Sequence, residues 1–420
     1  MTAAPESSVN VAEADLGAAY NALCTSGIDA IDEVGLEVHH SSLRGLKAVS
    51  EDRIAIHSCA LGVLIAIFDG HYTDELSDYA AKVLPQQLCE RISRNVSSTN
   101  AVDISAAVEE ALIKGIEDFD ASLLHDFLKH FPQGADTNWD DPLWDDSSEV
   151  FEIIGYTRDD PIFMAGRRTI VGSTALVCFV DKDKKNLWVA SLGDSEAEGA
   201  LHAVIGRVVD GQVQCEILND FHNCDNPAEV SRLQAEHPGE PSVVYNRRNL
   251  GYLAVTRALG DFPMKVGLRL TTKILTYAYP SYLGTNNIED WQNRGHLHPP
   301  YISSTPTVVR RALAPGDVLI MSSDGLRLAL EKLESEESKT RAMVALATDS
   351  GLDTASAKLL FDKLGHDMMA PAASDNVADR VIRNALFGMD REKMADALVT
   401  THADPAYYRD DISVAVVRIT

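Results

Sequence analysis

Paired thiols, basic charge and long apolar runs are all scarce in this sequence. The six cysteines, Cys24, Cys59, Cys89, Cys178, Cys215 and Cys224, form no CxxC pair and no dense framework. That excludes a thiolate zinc site and a disulfide scaffold, and it points to a reduced intracellular compartment. Among 420 residues only 37 are Lys or Arg against 63 Asp or Glu, a formal charge of −26. Such a balance opposes sequence-independent binding to nucleic acid or to an anionic membrane face, and it favours a metal cation or a basic partner. No Lys or Arg precedes Arg44, and the opening MTAAPESSVNVAEADLG carries Glu6, Glu13 and Asp15. This is unlike a mitochondrial transit peptide and too polar for a secretory signal, so the cytoplasm is the expected compartment. No stretch reaches the roughly eighteen apolar residues that a spanning helix needs, so no membrane partner is expected. With no heptad pattern to pair helices between copies, the expectation is a monomer.

What is present is a globular composition, 45% hydrophobic and 24% charged, enough to bury a large core. Residues 1–15 read as a flexible tail and 16–420 as a single domain. Two surface insertions are expected, at 132–162 around 138-NWDDPLWDD-146 and at 276–306. The acidic stretch 136–149 within the first reads as a solvated loop. Helical periodicity predicts two amphipathic helices, 74–96 with Leu76, Tyr79, Val83 and Leu88 on one face, and 104–131 with Val108, Ala111, Leu112, Ile116 and Phe119. Between and after them lie β-rich apolar runs at 63–68, 174–180, 187–192, 317–323 and 411–419.

Three of those runs end on Asp69-Gly70, Gly193-Asp194 and Asp324-Gly325, and the last begins directly after Arg409-Asp410. One Asp-Gly after a strand is ordinary turn chemistry. Carboxylates delivered to several strand ends of one domain would repel and raise one another's pKa values. A shared hard cation resolves that repulsion. Oxygen donors without a His or Cys cluster select Mg²⁺ or Mn²⁺, and two such ions activate water and clamp phosphoryl oxygens. His71, just past Asp69, is placed to hand a proton to a leaving oxygen.

The ordered set 50-SED-52, 68-FDGH-71, 172-GSTA-175, 193-GDS-195, 253-LAVTRALGD-261, 322-SSDGL-326 and 409-RDDISVAVV-417 resembles the metal-dependent serine/threonine protein phosphatases of type 2C, over roughly residues 40–420. The segments 218-LNDFHNCDNPAEVSRLQAEHP-238 and 379-DRVIRNALFGMDREKMADAL-398 look like the pyruvate dehydrogenase phosphatase branch. The resemblance implies an α+β fold, a four-layer αββα sandwich of two antiparallel β-sheets flanked by antiparallel helices, with a binuclear metal site at one edge. Carried over by position, Asp69 bridges both ions and the Gly70 carbonyl is a further ligand. Asp324 and Asp410 complete one ion's shell and Glu51 the other's, with Asp52 and Asp411 behind them. Asp194 matches the acid for a weaker third ion, and His71 the general acid. Lys47, with Arg44 close by, takes the place of the phosphate-gripping arginine. Arg257, Asp261, Ser173 and Thr174 read as structural, fixing a loop, a sheet edge and backbone groups.

Departures from the family pattern surround this set. Tyr72-Thr73 stands where two small residues are usual, Glu196 where Arg is common, and Arg327-Leu328 where an aromatic and an acid are expected, so two ions rather than three are implied. Lys47 offers a point charge instead of a bidentate fork. The implied function is a Mg²⁺- or Mn²⁺-dependent phosphomonoesterase acting on phosphoserine or phosphothreonine in proteins, in which a metal-bridging water attacks phosphorus and His71 protonates the departing oxygen. Two alternatives share the scaffold. In one, the substrate is a small phosphorylated molecule held by Tyr72, Arg327 and the aromatics Tyr277, Tyr279, Tyr282 and Trp291. In the other, Glu196 and Leu328 mark a regulatory pseudophosphatase.

Overall fold

The computed structural model describes residues 13–98, 104–138, 141–145, 147–193, 201–278, 298–348, 360, 362–372, 374–398 and 409–420. Among the described residues the fifteen strands in chain order are β1 (Cys24–Ile31), β2 (Leu36–Leu43), β3 (Asp52–Cys59), β4 (Gly62–His71), β5 (Gly172–Ser173), β6 (Ala175–Asp181), β7 (Asn186–Leu192), β8 (His202–Val209), β9 (Gln212–Ile217), β10 (Val244–Tyr245), β11 (Arg248–Asn249), β12 (Leu259–Gly260), β13 (Thr307–Ala312), β14 (Val318–Ser322) and β15 (Ile412–Arg418). One sheet runs β1-β2-β15-β14-β8-β9, and the other runs β12-β5-β4-β6-β7-β13 with β3 alongside β4. Their pairings are antiparallel throughout; β10 and β11 form a separate hairpin.

Why β4 is apolar from Val63 to Phe68 follows from its place. Successive side chains on a strand point to opposite faces, and both faces of β4 are covered. Val63, Ile65 and Ile67 meet Leu319, Met321, Ala415 and Val417 of the opposing sheet in one buried cluster. Leu64, Ala66 and Phe68 face the other way, into a cluster with Leu76, Leu84, Leu88, Leu112 and Ile116. These last five belong to helices Glu75–Ser98 and Ile104–Leu128, close to the spans expected from periodicity. On the far side, Val204, Ile320 and Val414 pack with Met343, Val381 and Ile382 of helices Glu336–Ala347 and Val377–Leu386. The result is the four-layer αββα sandwich.

Three sequence expectations need correction. The stretch 132–162 is not a wholly solvated decoration, because Trp144, Val150 and Ile154 are buried, and the Trp144 ring meets Phe131 edge-on at 5.7 Å. From 276–306, Tyr301 and Ile302 are likewise buried. A helix, Glu13–Leu23, starts inside the stretch read as a tail, and its Tyr20 hydroxyl donates to Asp379 at 2.6 Å. Among the described residues no helix is long and apolar enough to cross a membrane.

A buried ion cluster fixes the long loop that follows β9. Helix Pro227–Glu236 is capped by Asn226, whose side chain accepts from the Ala228 amide. Its buried Glu229 accepts from Arg257 Nη2 at 2.6 Å, Arg232 Nη2 at 2.9 Å and the Thr256 hydroxyl at 2.5 Å. Burial pushes the Glu229 carboxyl up, but these donors outweigh it and hold the group well below its usual 4.5. A depressed carboxyl contributes stability above its unfolded pKa and loses it as pH falls through the folded value. Replacing Glu229→Gln strands Arg257 and is expected to cost about 3 kcal/mol at pH 7. Urea unfolding at a series of pH values checks this: the gap to the parent chain narrows below about pH 4.5, and a gap independent of pH would assign the effect to packing.

Candidate active site

Register brings the acids together. Antiparallel pairing of β3 with β4 sets Asp52 opposite Asp69. In the other sheet Ser322 of β14 pairs with Val414 of β15, so helix Asp324–Ala329, which starts just past β14, lies beside Asp410-Asp411, which precede β15. The approach is close. A Cβ on Gly325 would stand 2.0 Å from the Asp411 carbonyl oxygen, which is why glycine follows Asp324. The Asp411 carboxylate accepts from the amides of Gly45 at 2.6 Å and Glu51 at 2.7 Å. It thereby ties the loop before β3 to the second sheet.

The crowding has an electrostatic consequence. Burial pushes the Asp52 carboxyl well above the carboxylate range, and Asp69, Asp411 and Asp410 push it further. Its Oδ2 has no hydrogen-bond partner. Burial also raises Glu51; Lys47 opposes that rise, while Asp411 and Asp410 add to it. The Lys47 ammonium bonds Glu51 and lies 3.5 Å from Asp410. Arg44, expected to help grip phosphate, donates to the Ala48 carbonyl instead.

Glu51, Asp52, Asp69, Asp324, Asp410 and Asp411 thus gather at one end of the two sheets, with Lys47 among them. Asp194 and Glu196 lie outside the described residues. Among the described residues no three or more His, Cys, Asp or Glu side chains form a ready ion cage. The donor chemistry still fits a hard divalent cation: carboxylate oxygens, one of them unpartnered and buried, carry charge that a single lysine does not balance.

His71 closes β4 at the same end. Its Nε2 meets Asp261 Oδ2 at 2.8 Å, and Asp261 is 1% exposed. The short strand β5 between β4 and β12 makes this possible, because Gly172 lies opposite both His71 and Gly260. A Cβ on Gly172 would come within 2.0 Å of His71 Nε2 and 2.2 Å of Asp261 Oδ2. Asp261 holds a left-handed φ of 50°. Behind it, the Gly260 amide donates to Asp120 at 2.8 Å, and Lys265 pairs with the same carboxylate at 2.8 Å. Burial lowers the His71 pKa, but the Asp261 carboxylate, helped by Asp69 and Glu51, raises it above the ordinary histidine value.

Asp261 was read from sequence as structural, so its contact with the proposed acid is the residue that reading missed. The pair is separated by 190 positions; only the expectation that a histidine acid has an orienting carboxylate could have pointed to it. Arg257 fixes a loop as read, bonding Glu229 and the Thr305 carbonyl. Ser173 and Thr174 satisfy the Asp69 carbonyl as read. Arg327 pairs with Glu336 at 2.5 Å. Tyr277 packs edge-on against Phe151 at 5.3 Å. Tyr279, Tyr282 and Trp291 lie outside the described residues.

A relative from Saccharomyces cerevisiae, mitochondrial [pyruvate dehydrogenase [acetyl-transferring]]-phosphatase 1, is 26% identical over 83% of this chain and 60% of its own length. The human mitochondrial phosphatase 2 of that name is 31% identical over 58% of this chain and 47% of its own length. The chain therefore spans about half to three fifths of these relatives. The fold is shared with the crystal structure of a serine-threonine phosphatase 2C from Toxoplasma gondii, with a TM-score of 0.50 and 14% identity over 94% of this chain and 99% of that one. A family model described as Protein phosphatase 2C matches residues 92–377, more than half of the sequence, and the chain belongs to that family.

Proposed function

We propose that the chain is a Mg²⁺- or Mn²⁺-dependent phosphomonoester hydrolase that removes phosphate from phosphoserine and phosphothreonine of proteins, with residues 16–420 acting as one catalytic unit. The observation that carries this reading is the His71–Asp261 pair set beside the carboxylate cluster. Asp69 with the Gly70 carbonyl, Glu51, Asp324 and Asp410 would hold two ions, with Asp52 and Asp411 behind them; Leu328, where the family has an acid, argues against a third site on that side. Bound there, divalent ions offset phosphoryl charge and make water nucleophilic at neutral pH.

The chain's own groups do the rest. Asp261 accepts from Nε2 of His71, fixing the ring and favouring its protonated form. Nδ1 is then the nitrogen that meets the departing seryl oxygen and protonates it. Lys47, already among the acids, offers a point charge to a phosphoryl oxygen. Asp411 sets the loop that carries Glu51. Tyr72 supplies a wall: the residue is 41% exposed, and its ring stands edge-on to His71 at 5.4 Å and stacks on Tyr252 at 6.4 Å. The relatives act, by name, on pyruvate dehydrogenase, so its phosphorylated form is the first protein substrate to offer this chain. They are also named as mitochondrial; cell fractionation decides the compartment of this chain.

Loss of the acid is expected to depend on the leaving group. His71→Ala should lower kcat on a phosphoserine peptide by about 10²–10⁴-fold, with a much smaller loss on p-nitrophenyl phosphate, whose leaving group needs no proton. Equal losses on both substrates would remove His71 from that role. Calorimetric titration of the full chain with Mn²⁺ provides a readout independent of turnover: saturable heat is expected from the parent and its loss from Asp69→Asn, whereas unchanged binding in the variant would place the ions elsewhere. Tyr72 holds φ 75°, a left-handed conformation costly for an L side chain. Both Tyr72→Gly and Tyr72→Ala remove the ring, but only Gly relieves the backbone, so the Gly variant should be the more stable in urea by about 1 kcal/mol; equal stabilities would contradict that strain.

A further inference from the structure

Two thiols meet at the end of the β3–β4 hairpin that lies farthest from the acids. Cys59 closes β3 opposite Gly62, with Ala60 and Leu61 making the turn between the strands. Strand alternation sends Ile54 and Ile56 into the cluster between the sheets, and Ala55 and Cys59 against the cluster beneath the helices. From the helical side, Cys89 of helix Glu75–Ser98 shares a buried face with Leu84, Leu88 and Ile92. Its Sγ reaches β3 itself, 3.9 Å from the carbonyl oxygen of His57, two positions before Cys59.

The two sulfurs differ in reactivity. Cys59 is half-buried, whereas Cys89 is only 2% exposed. The Cys89 thiol is shared with the Cys59 sulfur, and that hydrogen bond lowers the Cys59 pKa to about 6; burial opposes it, and the amides of Leu61 and Gly62 assist. The same bond, reinforced by burial, pushes the Cys89 thiol up. An accessible sulfur with thiolate character thus touches a protected one that keeps its proton. The other half-buried cysteines, Cys24 and Cys215, are both pushed up by burial.

We propose that Cys59 and Cys89 are a peroxide-reactive dithiol, Cys59 the attacking sulfur and Cys89 the resolving one, which closes reversibly into a disulfide. The Cys59 thiolate attacks one oxygen of hydrogen peroxide, the O–O bond breaks, hydroxide leaves and Cys59 becomes a sulfenic acid. Cys89 gives its proton to that hydroxide, forming water, and attacks the Cys59 sulfur. The S–S bond forms as the S–O bond breaks, and the oxygen departs as a second hydroxide. The two sulfurs lose two electrons and one peroxide takes them up; an added dithiol reverses the change. The bond ties helix Glu75–Ser98 to a hairpin tip about 23 Å along β3 from Asp52, seven residues at roughly 3.3 Å each.

The test uses the full chain with divalent metal chelated, so it requires no turnover and stands apart from the phosphatase reading. Treated with a small excess of hydrogen peroxide at pH 7 and mapped without reduction, the parent chain should yield a Cys59–Cys89 cross-link that dithiothreitol removes. Before oxidation, iodoacetamide should label Cys59 about tenfold faster than Cys24 or Cys215, since a larger thiolate fraction outweighs its lower nucleophilicity. In Cys89→Ser the resolving thiol is gone, and dimedone should trap the sulfenic acid on Cys59. The map of the parent chain needs no variant to fold. No Cys59–Cys89 cross-link, Cys59 joined equally to other cysteines, labelling of Cys59 no faster than of Cys24 and Cys215, or no dimedone adduct in Cys89→Ser would each overturn the proposal.

Discussion

The mutual repulsion of carboxylates at one end of two sheets is the constraint on which the rest of this structure depends. Asp52 and Asp69 face one another across β3 and β4, and Asp410 and Asp411 arrive from the opposite sheet. Burial pushes Asp52 and Glu51 upward, and at such spacing the neighbouring acids push them further. The fold moderates this locally. Asp411 is given over to two backbone amides, and Lys47 supplies a positive charge between Glu51 and Asp410. Charge nevertheless remains in excess, a donor chemistry that suits a hard cation.

Everything distal serves to hold this edge in place. The sheets are anchored by a shared apolar interior and by helices on both outer faces, so the strand ends are not free to separate under repulsion. The loop bearing Asp261 is held by a chain of polar contacts, Lys265 to Asp120 to the Gly260 amide. Further along, Glu229 joins helix Pro227–Glu236 to Arg257. These buried pairs are individually weak evidence for stability. Their contribution here is positional, since His71 is oriented only if Asp261 stays beneath it.

Much of the architecture was legible in the residues. The unbroken apolar run of β4 signalled a strand covered on both faces, and the amphipathic stripes of the two long helices named the residues that cover it. Asp69, Asp324 and Asp410 were legible as a group because each sits at the end of an apolar run, a position where a lone acid means little and several together mean repulsion. The insertion around Trp144 was misjudged because Pro and Asp dominate its composition while Val150 and Ile154 supply the burial. The Arg327–Glu336 pair was not legible, because Glu336 lies on a separate helix whose packing no local pattern reveals.

The sequence by itself determined five apolar strands and the acids at their ends, because these are encoded by near neighbours in the chain. Only the tertiary structure decided that Asp261 meets His71 and that Asp411 binds backbone amides while Asp410 faces Lys47. Those outcomes turn on register and close approach across large separations in the chain. Gly172 and Gly325 show the physical reason: each permits a contact within about 2 Å of where a Cβ would stand, a steric fact that exists only once the strands are side by side.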